Sequence, residues 1–141
     1  MADAPRHGPA ANTPSAAATA AAAARARLAA ARADTLAEAA ALSREYDGIV
    51  AANALVAVDD EHDPEGGSTA FERAHVAALL ARTREHLQEL DRALDRLAQG
   101  SYGRCEDCGS PIPPERLEIR PAAATCVGCA ASTPHRPPHP A

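Results

Sequence analysis

Residues 105–108 read CEDC and residues 126–129 read CVGC, so two Cys-x-x-Cys pairs stand seventeen residues apart. Two residues between cysteines allow both sulfurs of a pair to face one metal ion at about 2.3 Å, and two such pairs complete a tetrahedron. A tetrahedron closed by four protein ligands leaves no open position for a substrate. The spacing therefore predicts one structural zinc ion, Zn2+, held by Cys105, Cys108, Cys126 and Cys129.

The residues around the cysteines fit a small zinc lobe. Gly109 and Gly128 allow the tight backbone that directs amide N–H groups at thiolates. Four thiolates around a dication leave a net charge of about −2, which favours nearby arginines as outer-shell partners: Arg104, Arg116 and Arg120. We expect three apolar side chains beneath the loop: Ile112, Leu117 and Ile119. A thioredoxin-like dithiol and an iron–sulfur cluster are the alternatives, but no strand–helix–strand pattern surrounds either pair.

Upstream of the cysteines, apolar residues recur with the seven-residue period of a coiled coil. The later repeat is the clearer one, with Val76, Thr83, Leu90 and Leu97 at one seam position and Leu80, Leu87 and Leu94 at the other. The earlier repeat contains Gly48, and its seam residues are Leu28, Leu42, Ile49 and Val56, with Ala39, Tyr46 and Asn53 between them. Each helix carries a narrow apolar stripe that it cannot bury by itself. We therefore predict that the two long helices pack against each other, antiparallel.

The predicted fold class is mainly α, a long antiparallel helical hairpin followed by a four-cysteine zinc-finger lobe, with disordered termini. Residues 1–24 are rich in alanine and proline without an apolar period, which predicts a disordered tail. Residues 25–100 form the predicted hairpin, with an acidic tip at 59–67 where Pro64 and two glycines break the helices. Residues 101–131 form the finger, and 132–141 are a proline-rich tail that we expect to be disordered.

Composition excludes several classes of function. The net charge is −5 and the sequence pI is about 5.6, whereas DNA-binding domains usually have a pI above roughly 9. All 14 positive residues are arginine, so a Schiff-base lysine and a P-loop lysine are absent. No catalytic triad or open metal site is visible, which predicts a protein that is not an enzyme. No apolar run approaches the roughly 20 residues of a membrane span, and we expect a cytoplasmic protein.

Residues 97–109 read LAQGSYGRCEDCG, residues 116–121 read RLEIRP, and CVGC follows at 126–129. Together with the acidic-tipped hairpin, these stretches resemble the DksA/TraR family of bacterial transcription regulators, over roughly residues 25–131. Members of this family bind RNA polymerase and insert the hairpin into its secondary channel, so that acids at the tip approach the catalytic magnesium centre. The resemblance implies the same partner and the same mode of binding here.

The acidic tip carries the residues that the resemblance assigns to the polymerase active site. The family pattern is Asp-x-x-Asp-x-Ala, and residues 60–65 read DEHDPE. Asp60 and Asp63 match it, whereas Glu65 stands in place of the alanine. Glu65 and His62 are further candidates at the tip, because protonation of His62 would change its charge near neutral pH. A plain solvated loop is the alternative explanation for the cluster.

Two other interpretations remain open at the level of sequence. One is a zinc-ribbon module that binds nucleic acid or protein without polymerase. Another is an oligomeric coiled coil capped by the finger, although a hairpin satisfies its own seam and we expect a monomer. Family members can also respond to guanosine tetraphosphate through basic residues, and Arg120 occupies a matching place. Because lysine is absent and the chain ends in proline-rich sequence, we do not predict nucleotide binding.

Overall fold

A computed structural model describes residues 13–56 and 66–132. The helices are α1 (Ala16–Val56), α2 (Gly66–Gln99), α3 (Pro114–Ile119) and α4 (Val127–Ser132). Within these ranges the only extended pairing is an isolated bridge between Arg104 and Pro111. The predicted fold class, a long helical hairpin followed by a small four-cysteine lobe, is confirmed. Most of the acidic tip, including Asp60, His62, Asp63 and Glu65, lies outside the described residues, as do residues 1–12 and 133–141.

The first helix begins earlier than its sequence pattern indicates. α1 starts at Ala16, so the prediction of a disordered tail is wrong for residues 16–24. Alanine has the highest helix propensity because it loses no side-chain entropy, and a run of alanine carries no apolar period that would reveal the helix. The backbone N–H of Ala18 donates to Ser15 Oγ at 3.2 Å, which satisfies one of the free donors at the helix start.

The hairpin is held by the predicted heptad seam. Leu28 on α1 and Leu90 on α2 are fully buried, and Ala93 is buried with them. Two seam positions are occupied by buried threonines, Thr35 and Thr83. The Thr35 hydroxyl donates to the Ala31 carbonyl oxygen at 2.8 Å, so its burial leaves no polar group unsatisfied.

Two features fix the end of the hairpin that adjoins the cysteines. Arg32 of α1 and Asp91 of α2 form an ion pair across the two helices. Gly100 then ends α2 with a φ of +81°, a left-handed conformation that glycine adopts without strain.

Among the described helices, none combines the length and the apolar character that a membrane crossing requires.

Candidate metal centre and the adjoining groove

The fold brings the four cysteine sulfurs together. All four Sγ atoms lie within 4.8 Å of one another, and Cys108 Sγ is 3.8 Å from Cys126 Sγ. A regular tetrahedron with metal–sulfur distances of 2.3 Å has edges of about 3.8 Å. A disulfide would require about 2.05 Å, and none of the four forms one. The spacing and the all-sulfur donor set therefore fit a tetrahedral zinc ion.

The first cysteine pair lies in a tight turn that directs backbone N–H groups at sulfur. Gly109 has a φ of +73°, and its N–H donates to the Cys105 carbonyl oxygen at 2.9 Å. Hydrogen bonds from the backbone N–H of Cys108, together with those of Cys126 and Asp107, lower the pKa of Cys105 to about 6. Metal binding requires the thiolate, so this turn prepares Cys105 as a ligand.

The second pair is positioned by the start of α4. Cys126 precedes the helix, and the backbone N–H of Cys129 donates to Cys126 Sγ, with 3.5 Å between nitrogen and sulfur. Gly128 lies inside α4, and a Cβ at that position would make only an ordinary contact of 4.0 Å with the Cys126 sulfur. Contacts with the other sulfurs, that of Cys126 first, raise the pKa of Cys129. A dication relieves this crowding of negative charge.

The core of the lobe is smaller than predicted. Cys105, Ile112 and Leu117 are buried together, in agreement with the sequence. The expectation that Ile119 packs with them is wrong, since Ile119 is 82% exposed. Leu117 and Ile119 are two residues apart on α3, and that step turns a helix by about 200°. When Leu117 faces the core, Ile119 must face outward.

Two arginines of the lobe donate hydrogen bonds to carbonyl oxygens. Arg116 Nε donates to the Thr125 carbonyl oxygen at 3.1 Å, and Arg104 Nη1 donates to that of Gly109 at 3.4 Å. Arg120 is exposed and lines a groove. The outer-shell role of Arg104, Arg116 and Arg120 at the zinc ion stays a prediction.

Sequence reasoning missed this groove, which has a volume of about 610 Å³. One wall is the last third of α2 and the other is the segment from residue 119 to 125. Its charged lining consists of Arg92, Arg96, Arg116, Arg120, His86, Glu89 and Glu106. The one available signal was the pair of arginines spaced i, i+4 on α2, which places both on one face of the helix.

Comparison with known proteins identifies the lobe. The prokaryotic dksA/traR C4-type zinc finger family matches residues 100–135. Residues 100–135 thus carry a zinc finger of the DksA/TraR C4 type. A C4 finger of this family, with four sulfurs at tetrahedral spacing, establishes one structural zinc ion as the cofactor.

Curated proteins similar to this chain include one uncharacterized protein and one transcription factor. It is 39% identical over 66 residues to the uncharacterized protein YteA of Bacillus subtilis, covering 47% of this chain and 28% of the relative. It is 42% identical over 60 residues to the RNA polymerase-binding transcription factor DksA of Caulobacter vibrioides, covering 43% and 42%. These matches span less than half the length of either relative.

A solved structure is also similar. The transcription factor DksA2 from Pseudomonas aeruginosa aligns with a TM-score of 0.47 and 28% identity, covering 75% of this chain and 81% of that chain.

Proposed function

We propose that this chain is a zinc-containing transcription regulator that binds RNA polymerase through its secondary channel. In this proposal the acidic tip of the hairpin approaches the catalytic centre, with Asp60 and Asp63 facing it. The four cysteines hold the zinc ion and have no catalytic role. The observation that carries the proposal is a DksA/TraR finger placed directly after a two-helix hairpin whose connecting segment is acidic.

The dimensions of the hairpin support this mode of action. α2 has 34 residues, which at 1.5 Å per residue gives a rod of about 51 Å. A rod of this length can keep the finger at the polymerase surface while its far end enters a channel. Carboxylates at that end suit a hard cation such as magnesium, which takes oxygen ligands. The chain would act by electrostatics at another enzyme's active site, inside the cell, and would need neither DNA recognition nor chemistry of its own.

A pull-down with core RNA polymerase from the organism that encodes the chain tests the proposal. We expect the wild-type chain to be retained by the polymerase and to alter transcription from sensitive promoters. Asp60→Asn/Asp63→Asn should still bind but lose most of the effect on transcription, because only the tip charge changes. The matched control is Asp34→Asn/Asp47→Asn, which removes two exposed charges from α1 and should behave as the wild type.

Two results would overturn different parts of the proposal. Failure of the folded, zinc-loaded wild type to bind core polymerase would overturn the regulator assignment. Normal binding together with full activity of the Asp60→Asn/Asp63→Asn variant would overturn the role of the tip alone. The chain would then act on polymerase by occupying the channel.

A further inference from the structure

The groove between α2 and the zinc lobe is a concentration of positive charge on a chain whose net charge is −5. Four arginines and two glutamates line it, so arginine is in excess. Both glutamates are already paired, Glu89 with His86 Nδ1 at 3.2 Å and Glu106 with Arg96 Nη1 at 3.5 Å. The groove therefore presents uncompensated arginine.

Two of the four arginines are available to a ligand. Arg96 and Arg116 donate to the carbonyl oxygens of Ala122 and Thr125, which ties them to the lobe. Arg92 and Arg120 are exposed, and within residues 13–56 and 66–132 their guanidinium groups have no hydrogen-bond or ion-pair partner. They lie on opposite walls of the groove, one on α2 and one just after α3. An anionic segment lying between them would pair with both.

The groove also has an apolar component. Ile119, which is 82% exposed, lines it together with three consecutive alanines at residues 122–124. A small inorganic anion would leave this apolar surface in water. A peptide segment that combines carboxylates with neighbouring apolar side chains matches both parts of the lining.

The chain itself contains such a segment. Residues 59–65 carry five carboxylates and no arginine, which is the densest acidic run in the sequence. The helix ends beside it bear two exposed apolar side chains, Leu55 at 81% and Phe71 at 74%. Acidic and apolar groups thus adjoin each other here, as arginine and apolar groups do in the groove.

This segment cannot reach the groove of its own chain. Arg92 follows Gly66 by 26 residues of continuous helix, so Arg92 lies about 39 Å from the start of α2, where the acidic segment ends. The same separation makes a pair of chains self-complementary, because two hairpins side by side and antiparallel place each acidic segment at the other's groove. A two-fold axis between them relates the two contacts, so both form together.

We propose that the arginine groove binds the acidic segment 59–65 of a second copy of this chain, forming a reversible antiparallel dimer of folded monomers. The dimer buries the acidic segments, so that dissociation is required before the tip can act elsewhere. It does not conflict with a hairpin that satisfies its own seam, because the contacts lie at the two ends of the rod.

Sedimentation equilibrium of the zinc-loaded full chain tests the proposal without polymerase. We expect the dimer fraction of the wild type to rise with protein concentration and to fall with added salt, since salt screens exposed charges. Arg92→Glu/Arg120→Glu and Asp60→Arg/Glu61→Arg/Asp63→Arg should each weaken dimerisation by about tenfold or more, because like charges then meet. The control Arg73→Glu/Arg84→Glu reverses two exposed charges of α2 outside the groove and should dimerise nearly as the wild type.

Mixing the two charge-reversed variants gives the decisive result. In the mixed dimer one contact joins glutamates to introduced arginines, and the other joins the native arginines to the native acids. We expect the mixture to form dimers at concentrations at which each variant alone is mostly monomeric, with circular dichroism and zinc content confirming that both variants are folded. A wild type that remains monomeric at every concentration overturns the proposal. So does a mixture of folded variants that stays monomeric while the wild type dimerises.

Discussion

The Tyr102 hydroxyl donates a hydrogen bond of 2.7 Å to the carbonyl oxygen of Pro121. Its ring packs against the hairpin core around Leu28 and Leu90, and also against the lobe core around Ile112. Tyr102 is thus a shared member of both apolar clusters. It sets the position of the zinc lobe relative to the hairpin.

Removal of the Tyr102 hydroxyl should destabilise the chain. In Tyr102→Phe the ring still packs, but the Pro121 carbonyl oxygen loses its donor. We expect the free energy of unfolding to fall by about 1 kcal/mol, measured by urea unfolding at fixed free zinc. Tyr46→Phe is the control, because Tyr46 is a half-buried seam residue far from the lobe. An equal loss in both variants would contradict the role of the hydrogen bond.

Tyr102 should also titrate abnormally. Burial raises the pKa of Tyr102 above 10.0, an effect that nearby Arg27 and Arg96 oppose only in part. Because the pKa is raised in the folded state, the contribution of the neutral Tyr102 hydroxyl to the free energy of unfolding is fully present below pH 10. That contribution is lost as the pH rises through the folded-state pKa. In Tyr46→Phe the tyrosinate absorbance reports Tyr102 alone, since the chain has two tyrosines. A folded-state pKa at or below 10 would contradict this prediction.

Gly48 and Gly109 form a matched pair for substitution by alanine, because a Cβ at either position would meet nothing within 4 Å. Gly48 lies inside α1, where alanine favours the helix, so Gly48→Ala should stabilise the chain by about 0.5–1 kcal/mol. Gly109 has a φ of +73°, which strains any other residue, so Gly109→Ala should destabilise the chain and weaken zinc binding. Urea unfolding and zinc competition measure the two effects. If the free energy of unfolding changed in the same direction in both variants, backbone conformation would not be the cause.

Zinc removal should unfold the lobe and leave most of the hairpin helical. α3 and α4 have six residues each, whereas α1 and α2 have 41 and 34, and the hairpin core does not contain the cysteines. Chelation should therefore release one zinc ion and expose four reactive thiols, while the far-ultraviolet helical signal falls only slightly. Loss of more than about half of that signal would mean that the hairpin depends on the metal for folding.

The sequence predicted the features whose signal is local. Leucine spacing identified α2, and cysteine spacing identified the metal cluster. It missed the first turns of α1 because alanine has high helix propensity without amphipathic contrast. It placed Ile119 in the core because the short helix α3, which decides the direction of that side chain, has too few residues to show a period. The groove joins α2 to a segment about 25 residues later, and such a juxtaposition depends on tertiary packing.

Localised radical cleavage tests whether the acidic tip approaches the catalytic centre of RNA polymerase. Iron(II) in place of the catalytic magnesium of RNA polymerase generates hydroxyl radicals that cut protein backbone only near the active site. With this chain bound, we expect cleavage within residues 57–67 and none in the finger, and a reduction in cleavage when unlabelled chain competes. Cleavage confined to the finger, or none in a complex shown to contain the chain, would contradict the claim that the acidic tip approaches the catalytic centre.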